Sequence, residues 1–567
     1  VTANLVRVLP WGPGILRLTN TANTLVDDNG VNAGLVSASA IGALGTGTAG
    51  WTVGSSGVIS ADNYTAAAVK AKVASGSSGT LALATTGGNP DNAPDMGGAG
   101  YANLFLGALG SVAVGNDPTT TTDLAQWSGG GWKLGGGGGT LTVNLRLNGT
   151  QGLTIGNGHN TGVVILANIN NENTFSGTIT VNQGVDLRYT HVRALGGGTL
   201  DVGHGSSVTT LTSGGNGILS RVSDPSAGVI AMENGANNSS AFDLAAAGLN
   251  TIHLGAEGTA TYSGALTPGA NGYRFGGDGA LTVATALTGT RAVTVDGHNM
   301  NGGVVTLTGG NTFTGTLTVR GYDRSIITSG GTGTVTLRAG SATAFGAGAP
   351  VSLLAGGTLD LNGYNVTAGA LAGAAGSGIT NSTTTAAATL TVQQTSDATL
   401  YSTISSPGGR NLNLTKSGAG MLRLAGTNTH TGVHTVSAGV LRLGAAGALG
   451  GSGSTVVVQS GATFDAAGIT PNAMSGVTIA GAGTGGMAAL YNSSSGTTVT
   501  LGEAALAAHA PSGGASGSIW RINNLNPAGH TATLNTSRFN FNDGDHIGAG
   551  HVVANNGVVI YMSNTTT

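Results

Sequence analysis

A nine-residue segment that occurs three times is the strongest constraint this sequence places on its fold. Asn173-Thr-Phe-Ser-Gly-Thr-Ile-Thr-Val181 recurs as Asn311-Thr-Phe-Thr-Gly-Thr-Leu-Thr-Val319 and, with more changes, as Asn428-Thr-His-Thr-Gly-Val-His-Thr-Val436. An apolar run precedes every copy, and a Thr-Leu-Asp or Thr-Phe-Asp tripeptide follows it. The order of these features is kept while their spacing varies. This pattern indicates insertions between repeated coils rather than the equal blades of a propeller.

Short β-branched runs between turn residues predict strands in most of the chain. Examples are Leu141–Leu147, Val304–Leu307 and Ser454–Gln459, which are bounded by Gly, Asn or Ser-Gly pairs. Threonine in the alternate positions favours strand over helix, because its branched Cβ loses freedom in a helix. The best helical candidate, Leu501–His509, is short and begins beside a glycine. We therefore predict an all-β chain.

The composition excludes several classes of protein. Only 8% of the 567 residues are charged and the net charge is −3, so nothing favours binding to nucleic acid or to an anionic membrane. The chain contains no cysteine, which removes disulfides, thiolate zinc sites and cysteine nucleophiles. No apolar run is long enough for a transmembrane helix. The 104 glycines show no period of three, so the chain is not a collagen.

The third copy lies in a longer unit, Leu412–Leu443, which contains Lys416-Ser-Gly-Ala-Gly420 and Asn428-Thr-His-Thr-Gly432. This unit closely resembles the autotransporter-associated β-strand repeat, also called the passenger-associated transport repeat. The resemblance implies an elongated right-handed parallel β-solenoid on the surface of a Gram-negative-type bacterium. It departs from the family at His430, where the family has an aromatic residue. From this resemblance we infer the solenoid fold and the surface location, but not the autotransporter secretion route.

Repeat positions are the candidate structural sites. We expect Phe175, Phe313 and His430 to occupy equivalent coil positions, with parallel strands on either side. The asparagines at the start of the copies either bond the neighbouring coil or simply begin turns, and the sequence leaves both roles open. Glycines are expected where a coil turns sharply. The full set is Asn173, Phe175, Gly177, Asn311, Phe313, Gly315, Asn428, His430 and Gly432.

Three segments are predicted along the chain. Residues 140–470 form the repeat-bearing solenoid. Residues 1–139, which contain four of the five tryptophans, and residues 471–567 are expected to be atypical β-rich segments that act as caps or assembly regions. The sequence opens at Val1 without a leader-like stretch, which we interpret as the mature part of an exported protein.

Residues with catalytic or metal-binding chemistry are few and scattered. Asp201, Asp360 and Asp465 follow the repeats at matching positions and are expected to be corner residues. His159 and His298 also recur and are given a structural role. The densest polar cluster contains Asp543 and Asp545, which are weak candidates for calcium because the chain lacks the downstream glutamate of an EF-hand loop. No cofactor and no enzymatic activity are predicted.

Three classes of function remain open. We favour a secreted or cell-surface structural protein that self-associates into a homopolymer, as a filament or sheath subunit with a role in adhesion to surface glycans. The alternatives are a carbohydrate-active enzyme on a solenoid scaffold and a passive autotransporter-like passenger. The fold alone does not choose among them, because solenoids support all three.

Overall fold

The structure, a computed structural model, describes residues 14–501 with short gaps, and beyond residue 501 it describes only the backbone of strands between residues 504 and 562. The gaps before residue 501 are 22, 24, 26–28, 46–49, 85–93, 169–172, 211–215, 225, 298–301, 324–331, 473–475, 480–482, 486, 488 and 495–496.

The fold is all-β, with parallel sheets that form a β-solenoid of about 18 turns and with 4% helix. The predicted all-β class and parallel solenoid are therefore confirmed. The contacts divide the chain into two compact units. Unit one comprises residues 1–282, 296–304 and 322–333, and unit two comprises 283–295, 305–321 and 334–567. The segment boundaries at residues 139 and 470 stay a prediction.

Unit one is built on two long parallel sheets. In spatial order, the first sheet contains Ile15–Leu18, Gly30–Ala38, Thr52–Ala61, Thr80–Ala84, Phe105–Leu109, Trp132–Leu134, Leu153–Ile155, Ile179–Val181 and Leu200–Val202. The second sheet contains Ser111–Val114, Thr140–Val143, Gly162–Leu166, Val185–Tyr189, Ser207–Thr210, Val229–Met232, His253–Ala256 and Tyr273–Gly276. The first sheet runs through residue 139 without a break.

Smaller sheets complete unit one. A third sheet contains Asn237–Asn238, Thr259–Tyr262 and Ala280–Val283. Phe242–Asp243 pairs with Leu266–Thr267 in parallel, and Tyr322–Asp323 pairs with Thr332–Gly333 in an antiparallel arrangement.

Unit two consists of four parallel sheets. The fourth sheet contains Val293–Asp296, Leu317–Arg320, Val351–Leu353, Leu371–Gly373, Ala398–Leu400, Met421–Leu424, Gly439–Leu443, Ala462–Asp465, Leu490–Asn492, Ala510–Gly514, Thr531–Leu534 and His551–Ala554. The fifth contains Val304–Leu307, Val335–Ala339, Gly357–Asp360, Gly378–Thr380 and Thr403–Ser405.

The other two sheets of unit two extend toward the C-terminus. The sixth contains Val366–Ala368, Ala388–Gln393, Leu412–Ser417, Val433–Val436, Thr455–Val458, Gly476–Ile479, Ala504–Leu506, Asn524–Asn526 and His546–Ile547. The seventh contains Thr498–Leu501, Ile519–Ile522, Arg538–Phe541 and Val559–Met562.

Helices are short and rare among the described residues. Two are single 3-10 turns, Ile41–Leu44 and Val192–Leu195, and two are α-helical, Ala66–Lys70 and Asn216–Leu219. The helical candidate at 501–509 is wrong in its middle, because Ala504–Leu506 is a strand. None of the helices in the described part of the chain has the length and apolar character needed to cross a membrane.

Strands stack in register, so that each side chain lies over an equivalent one in the next coil. Met421–Leu424 pairs with Val440–Leu443, which places Leu422 beside Leu441 and Leu424 beside Leu443. These four leucines are fully buried, whereas the alternate Arg423 faces outward. Alternation with period two thus produces a narrow apolar core that runs through successive coils.

Two of the three predicted corner aspartates form the same turn. Asp360 and Asp465 each end a strand, are buried, and accept a hydrogen bond from the backbone N–H two residues later, at 3.0 and 2.9 Å. The two donors, Asn362 and Ala467, have positive φ values of +47° and +50°. The aspartate side chains therefore stabilise a left-handed residue at the corner.

Asp201 differs from this pair. It lies within the strand Leu200–Val202, where it pairs with Thr180, and not at a strand end. The expectation of a corner role is wrong here. The Thr-Leu-Asp tripeptide of the first copy lies at the first strand of its coil, whereas Asp360 and Asp465 end the second strand of theirs.

Replacing Ala467 with glycine is expected to stabilise the corner by up to about 1 kcal/mol, because the left-handed conformation costs an alanine about 1–2 kcal/mol. Ala466→Gly is the matched control. Ala466 does not have a positive φ, so its replacement should destabilise by about 0.5–1 kcal/mol. Opening free energies from hydrogen exchange of the surrounding amides measure both changes. Equal destabilisation by the two variants contradicts the expectation.

Candidate functional site

The repeat asparagines connect three consecutive coils. Asn428 accepts a hydrogen bond through Oδ1 from the N–H of Ile404 at 2.7 Å, and its Nδ2 donates to the carbonyl of Ala448 at 2.5 Å. Asn428 itself is buried. The same pair of bonds joins Asn173 to Leu147 and Ala194, and Asn311 to Leu287 and Ala344. Of the two roles left open, the structure supports bonding to neighbouring coils. The partners are backbone groups rather than other asparagines.

The peptide after each asparagine completes this contact. The N–H of Thr174 donates to the carbonyl of Leu147, whose own N–H is bonded by Asn173. The side-chain amide therefore occupies the place of a backbone peptide in a parallel ladder. It satisfies buried polar groups at a corner where the strand pairing is interrupted.

Phe175, Phe313 and His430 occupy equivalent positions, as predicted. Each is fully buried. Each carbonyl accepts a hydrogen bond from the following coil, where the donors are the N–H groups of Gly197, Ala347 and Gly451.

The glycines two residues after these rings are required by close approach of the preceding coil. A Cβ at Gly177 would lie 2.4 Å from the carbonyl carbon of Gln151. At Gly315 and Gly432 it would lie 2.3 Å and 2.5 Å from backbone oxygens of Arg291 and Leu412. Any side chain at these positions would force two coils apart.

The structure adds a second element of the repeat that the sequence reasoning missed. Ala194-Leu-Gly196, Ala344-Phe-Gly346 and Ala448-Leu-Gly450 follow the three copies. Their alanine carbonyls accept from the repeat asparagines, and their glycines, at φ values of +58°, +79° and +88°, lie against the buried rings. The sequence does contain a signal for this element, because Ala-Leu-Gly or Ala-Phe-Gly recurs downstream of each Asn-Thr copy.

An asparagine followed by an Ala-Leu-Gly tripeptide also makes this contact in the N-terminal segment. Asn23 donates through Nδ2 to the carbonyl of Ala43 at 2.8 Å, as the other repeat asparagines do. Gly45 follows with a φ of +106° and lies against Leu25, which takes the place of the ring. The contact from an asparagine Nδ2 to the alanine carbonyl of an Ala-Leu-Gly or Ala-Phe-Gly element therefore occurs at least four times among the described residues.

Asn428→Ala is expected to destabilise the third repeat by about 2–4 kcal/mol, since it leaves the N–H of Ile404 and the carbonyl of Ala448 buried without their partner. Thr427→Ala, at the exposed neighbouring position, is the control and should change little. Hydrogen exchange at Ile404 reports the local effect. Protection of that amide at the wild-type level would contradict the role assigned to Asn428.

The third repeat has a polar core where the others are apolar. His430 and His434 replace Phe175 and Ile179 of the first copy and the equivalent Phe313 and Leu317 of the second. Their Nε2 atoms are 3.2 Å apart and both side chains are fully buried. His434 Nε2 also lies 3.1 Å from the carbonyl of Leu449. Because a carbonyl only accepts, His434 carries its proton on Nε2 and His430 carries its proton on Nδ1.

Burial holds both histidines neutral. It lowers the pKa of His430 to about 3, with His434 adding to the effect, and lowers the pKa of His434 to about 4. Neither Nδ1 atom has a hydrogen-bond partner among the described residues.

Lys416 is the charged side chain of the neighbouring strand that faces the same core. Its Nζ donates to the carbonyls of Ser417, Gly418 and Ala438 at 3.0, 2.7 and 2.9 Å. Burial lowers its pKa to about 8, and the nearby Asp397 acts in the opposite direction. The Lys416 ammonium group thus caps three backbone carbonyls inside the coil.

The third repeat should lose stability in acid. Both histidine pKa values lie below the unfolded value of 6.5, so this stability is complete above pH 6.5 and is lost as the pH falls toward 4. Each histidine contributes about 1.4 kcal/mol per pH unit in that range.

The double variant His430→Phe, His434→Leu recreates the core of the second repeat and should remove this dependence. Hydrogen exchange of strand 433–436 between pH 6.5 and 4.5 measures it, with the second repeat as an internal control. An equal acid response in the variant and the wild type contradicts the expectation.

A polar groove of about 270 Å³ lies on the outward face of the second sheet in unit one. Val163, Asp186, Ser207 and Val229 are register partners on successive strands and form one row of its floor. Glycines line its rim, at Gly138, Gly162, Gly184 and Gly277.

One guanidinium joins two carboxylates in this groove. Arg188 donates through Nε to Asp186 at 2.7 Å and through Nη2 to Glu257. Asp186 also accepts from the hydroxyls of Ser207 and Thr209 at 2.7 and 3.1 Å. Burial raises the pKa of Glu257 and the Asp186 charge adds to this, whereas Arg188 lowers it. The expectation that acidic residues are scattered is therefore wrong for these two.

The remaining candidates are placed as follows. His159 lies in a turn in which its N–H donates to Asn157 at 3.0 Å, in agreement with a structural role. His298 and the calcium candidates Asp543 and Asp545 lie outside the described residues. Within the described part of the chain, no three His, Asp or Glu side chains are close enough together to hold a metal ion.

The fold and the coil-to-coil asparagine contacts define a parallel β-solenoid with an internal repeat. The family model for the passenger-associated-transport-repeat matches three segments, 160–185, 301–321 and 414–443, each of which contains one Asn-Thr-aromatic or Asn-Thr-His copy. No curated protein and no solved structure matches the chain significantly. Repeat and solenoid together fit an autotransporter-passenger-like surface protein.

Proposed function

We propose that this protein is a structural component of the cell surface that assembles end to end with copies of itself into a filament or sheath. The observation that carries the proposal is the open edge of the first sheet in unit one. The strand Ile15–Leu18 is the first of that sheet, and among the described residues it pairs on one side only, with Gly30–Ala38.

The outer edge of this strand offers both hydrogen bonds and apolar surface. The carbonyls of Gly14 and Leu18 accept from Leu35 and Ser39, so the even-numbered residues bond inward. The backbone groups of Ile15 and Arg17 consequently point away from the neighbouring strand. The Ile15 side chain is 75% exposed. A strand from another copy can continue this ladder.

The edge also lacks an effective charge to prevent pairing. Charged side chains on edge strands commonly block association. The one charge of this strand, Arg17, forms an ion pair with Asp62. Contact between the first strand of one copy and a C-terminal strand of another is heterologous, so it extends into a filament rather than closing into a dimer.

Ile15→Pro tests the assembly. Proline removes the outward N–H of residue 15 and leaves the inward bond of Gly14 in place. We expect the wild-type protein to form polymers in negative-stain images and in sedimentation, and the proline variant to sediment as a monomer.

Ile15→Val is the matched control, because it keeps the N–H and the β-branched side chain and should still polymerise. The proposal would be contradicted by polymers of the proline variant, or by a wild-type protein that remains monomeric at high concentration. The expected absence of enzymatic activity is part of the same proposal. Release of reducing ends or unsaturated products from a polysaccharide panel would contradict it.

A further inference from the structure

We infer that the groove on the second sheet of unit one binds an uncharged oligosaccharide. The inference is independent of self-assembly, because the groove lies on the face of a sheet and not at its edge. It rests on the shape of the groove, the chemistry of its floor and the fixed position of its charged groups.

The shape suits an elongated ligand that lies across the strands. The strands Gly162–Leu166, Val185–Tyr189, Ser207–Thr210 and Val229–Met232 are consecutive parallel neighbours in register. Neighbouring strands are about 4.8 Å apart, so the floor extends about 14 Å over these four coils. Val163, Arg188 and Glu257 are partly exposed side chains along this floor.

The rim is open because it is formed by backbone rather than side chains. Gly138, Gly184 and Gly277 have φ values of +84°, +86° and +113°, which other residues adopt only with strain. A Cβ at Gly138 would meet nothing within 4 Å, so the space beside it is free. The N–H groups of Gly138 and Gly184 already donate to the carbonyls of Thr161 and Gly205, so backbone carbonyls are the rim groups that can bond ligand hydroxyls.

The floor combines small apolar surfaces with hydroxyl and charged groups. Val163 provides partly exposed apolar contact area, and the partly exposed Thr161 provides a hydroxyl. This mixture suits the faces of sugar rings, which carry C–H groups and hydroxyls together. A purely apolar ligand would remove water from the partly exposed Arg188 and Glu257 without replacing its hydrogen bonds, at a cost in free energy.

The charged groups are held ready for ligand hydroxyls. Asp186 is fixed by Ser207, Thr209 and Arg188, and it holds the guanidinium in turn. The Glu257 side chain is 28% exposed, and one of its oxygens contacts Arg188. Its second oxygen provides an acceptor for a hydroxyl, and the third guanidinium nitrogen provides a donor. Such fixed groups reduce the entropy lost on binding.

The net charge selects against anions. Asp186, Glu257 and Asp278 line the groove with one guanidinium, Arg188. Three carboxylates against one cation repel phosphate, sulfate and uronate groups. A peptide strand would pair with the edge of a sheet rather than lie across its face. An uncharged saccharide meets both conditions.

Isothermal titration calorimetry on the full chain tests the inference. The probes are cellotetraose, maltotetraose and mannotetraose, with tetragalacturonate as the anionic comparison and spermidine as the cationic one. We expect at least one neutral tetrasaccharide to bind and tetragalacturonate not to bind. Binding of spermidine or tetragalacturonate alone, or of no probe at 10 mM, which is about ten times a weak millimolar Kd, would overturn the inference.

Two pairs of variants locate the binding. Val163→Trp places a large side chain in the groove and should abolish binding, whereas Thr415→Trp, at an outward strand position of unit two, should leave it unchanged. Glu257→Gln keeps the shape, removes an ionised acceptor and should weaken binding about tenfold. Glu233→Gln is the same substitution away from the groove.

Equal thermal unfolding of each pair separates loss of binding from loss of fold. If Val163→Trp is folded and still binds like the wild type, the saccharide binds elsewhere and the assignment of the groove is wrong.

Discussion

The need to satisfy backbone hydrogen bonds at the corners of a coil governs this structure. Along paired strands, parallel ladders bond the N–H and C=O groups, but a corner interrupts the ladder while remaining buried. The repeat asparagine solves this problem with one side chain. Asn428 bonds the coil before it and the coil after it, and the glycines nearby allow the backbones to approach closely enough for these bonds. The conserved spacing within a repeat follows from that geometry, whereas segments between repeats are free to vary in length.

The third repeat shows how much variation this framework tolerates. The positions that pack a phenylalanine and an aliphatic side chain elsewhere hold His430 and His434, and the adjacent strand buries Lys416. His434 and Lys416 donate to backbone carbonyls and His430 contacts His434. The pKa values of all three fall because burial disfavours charge. Coil geometry is preserved because the asparagine contacts are unchanged. The core residues determine local stability, and the corner contacts determine the fold.

The sequence predicted the fold well because local signals and repetition agreed. The Asn-Thr copies and β-branched runs were sufficient for a parallel solenoid and for the equivalence of Phe175, Phe313 and His430. Other features depend on contacts that no local pattern displays. Asp186 and Glu257 share Arg188 although two strands of the sheet lie between theirs, and the contact at Asn23 has Leu25 in place of an aromatic residue. Asp201 was misplaced because a shared tripeptide was taken as a shared position, while its coil has a different length.

The two-sided asparagine contact couples the folding of a repeat-bearing coil to that of both its neighbours. A stack that ends after the coil of Asn173 leaves the Nδ2 group of that residue waiting for the carbonyl of Ala194, which only the next coil supplies. A coil that ends in a repeat asparagine therefore carries an unmet donor, and addition of its successor is favoured over termination. In a quasi-one-dimensional chain, folding can nucleate at any such coil and propagate to its neighbours. A chain that emerges gradually into its final compartment can then fold coil by coil, without waiting for its last residues.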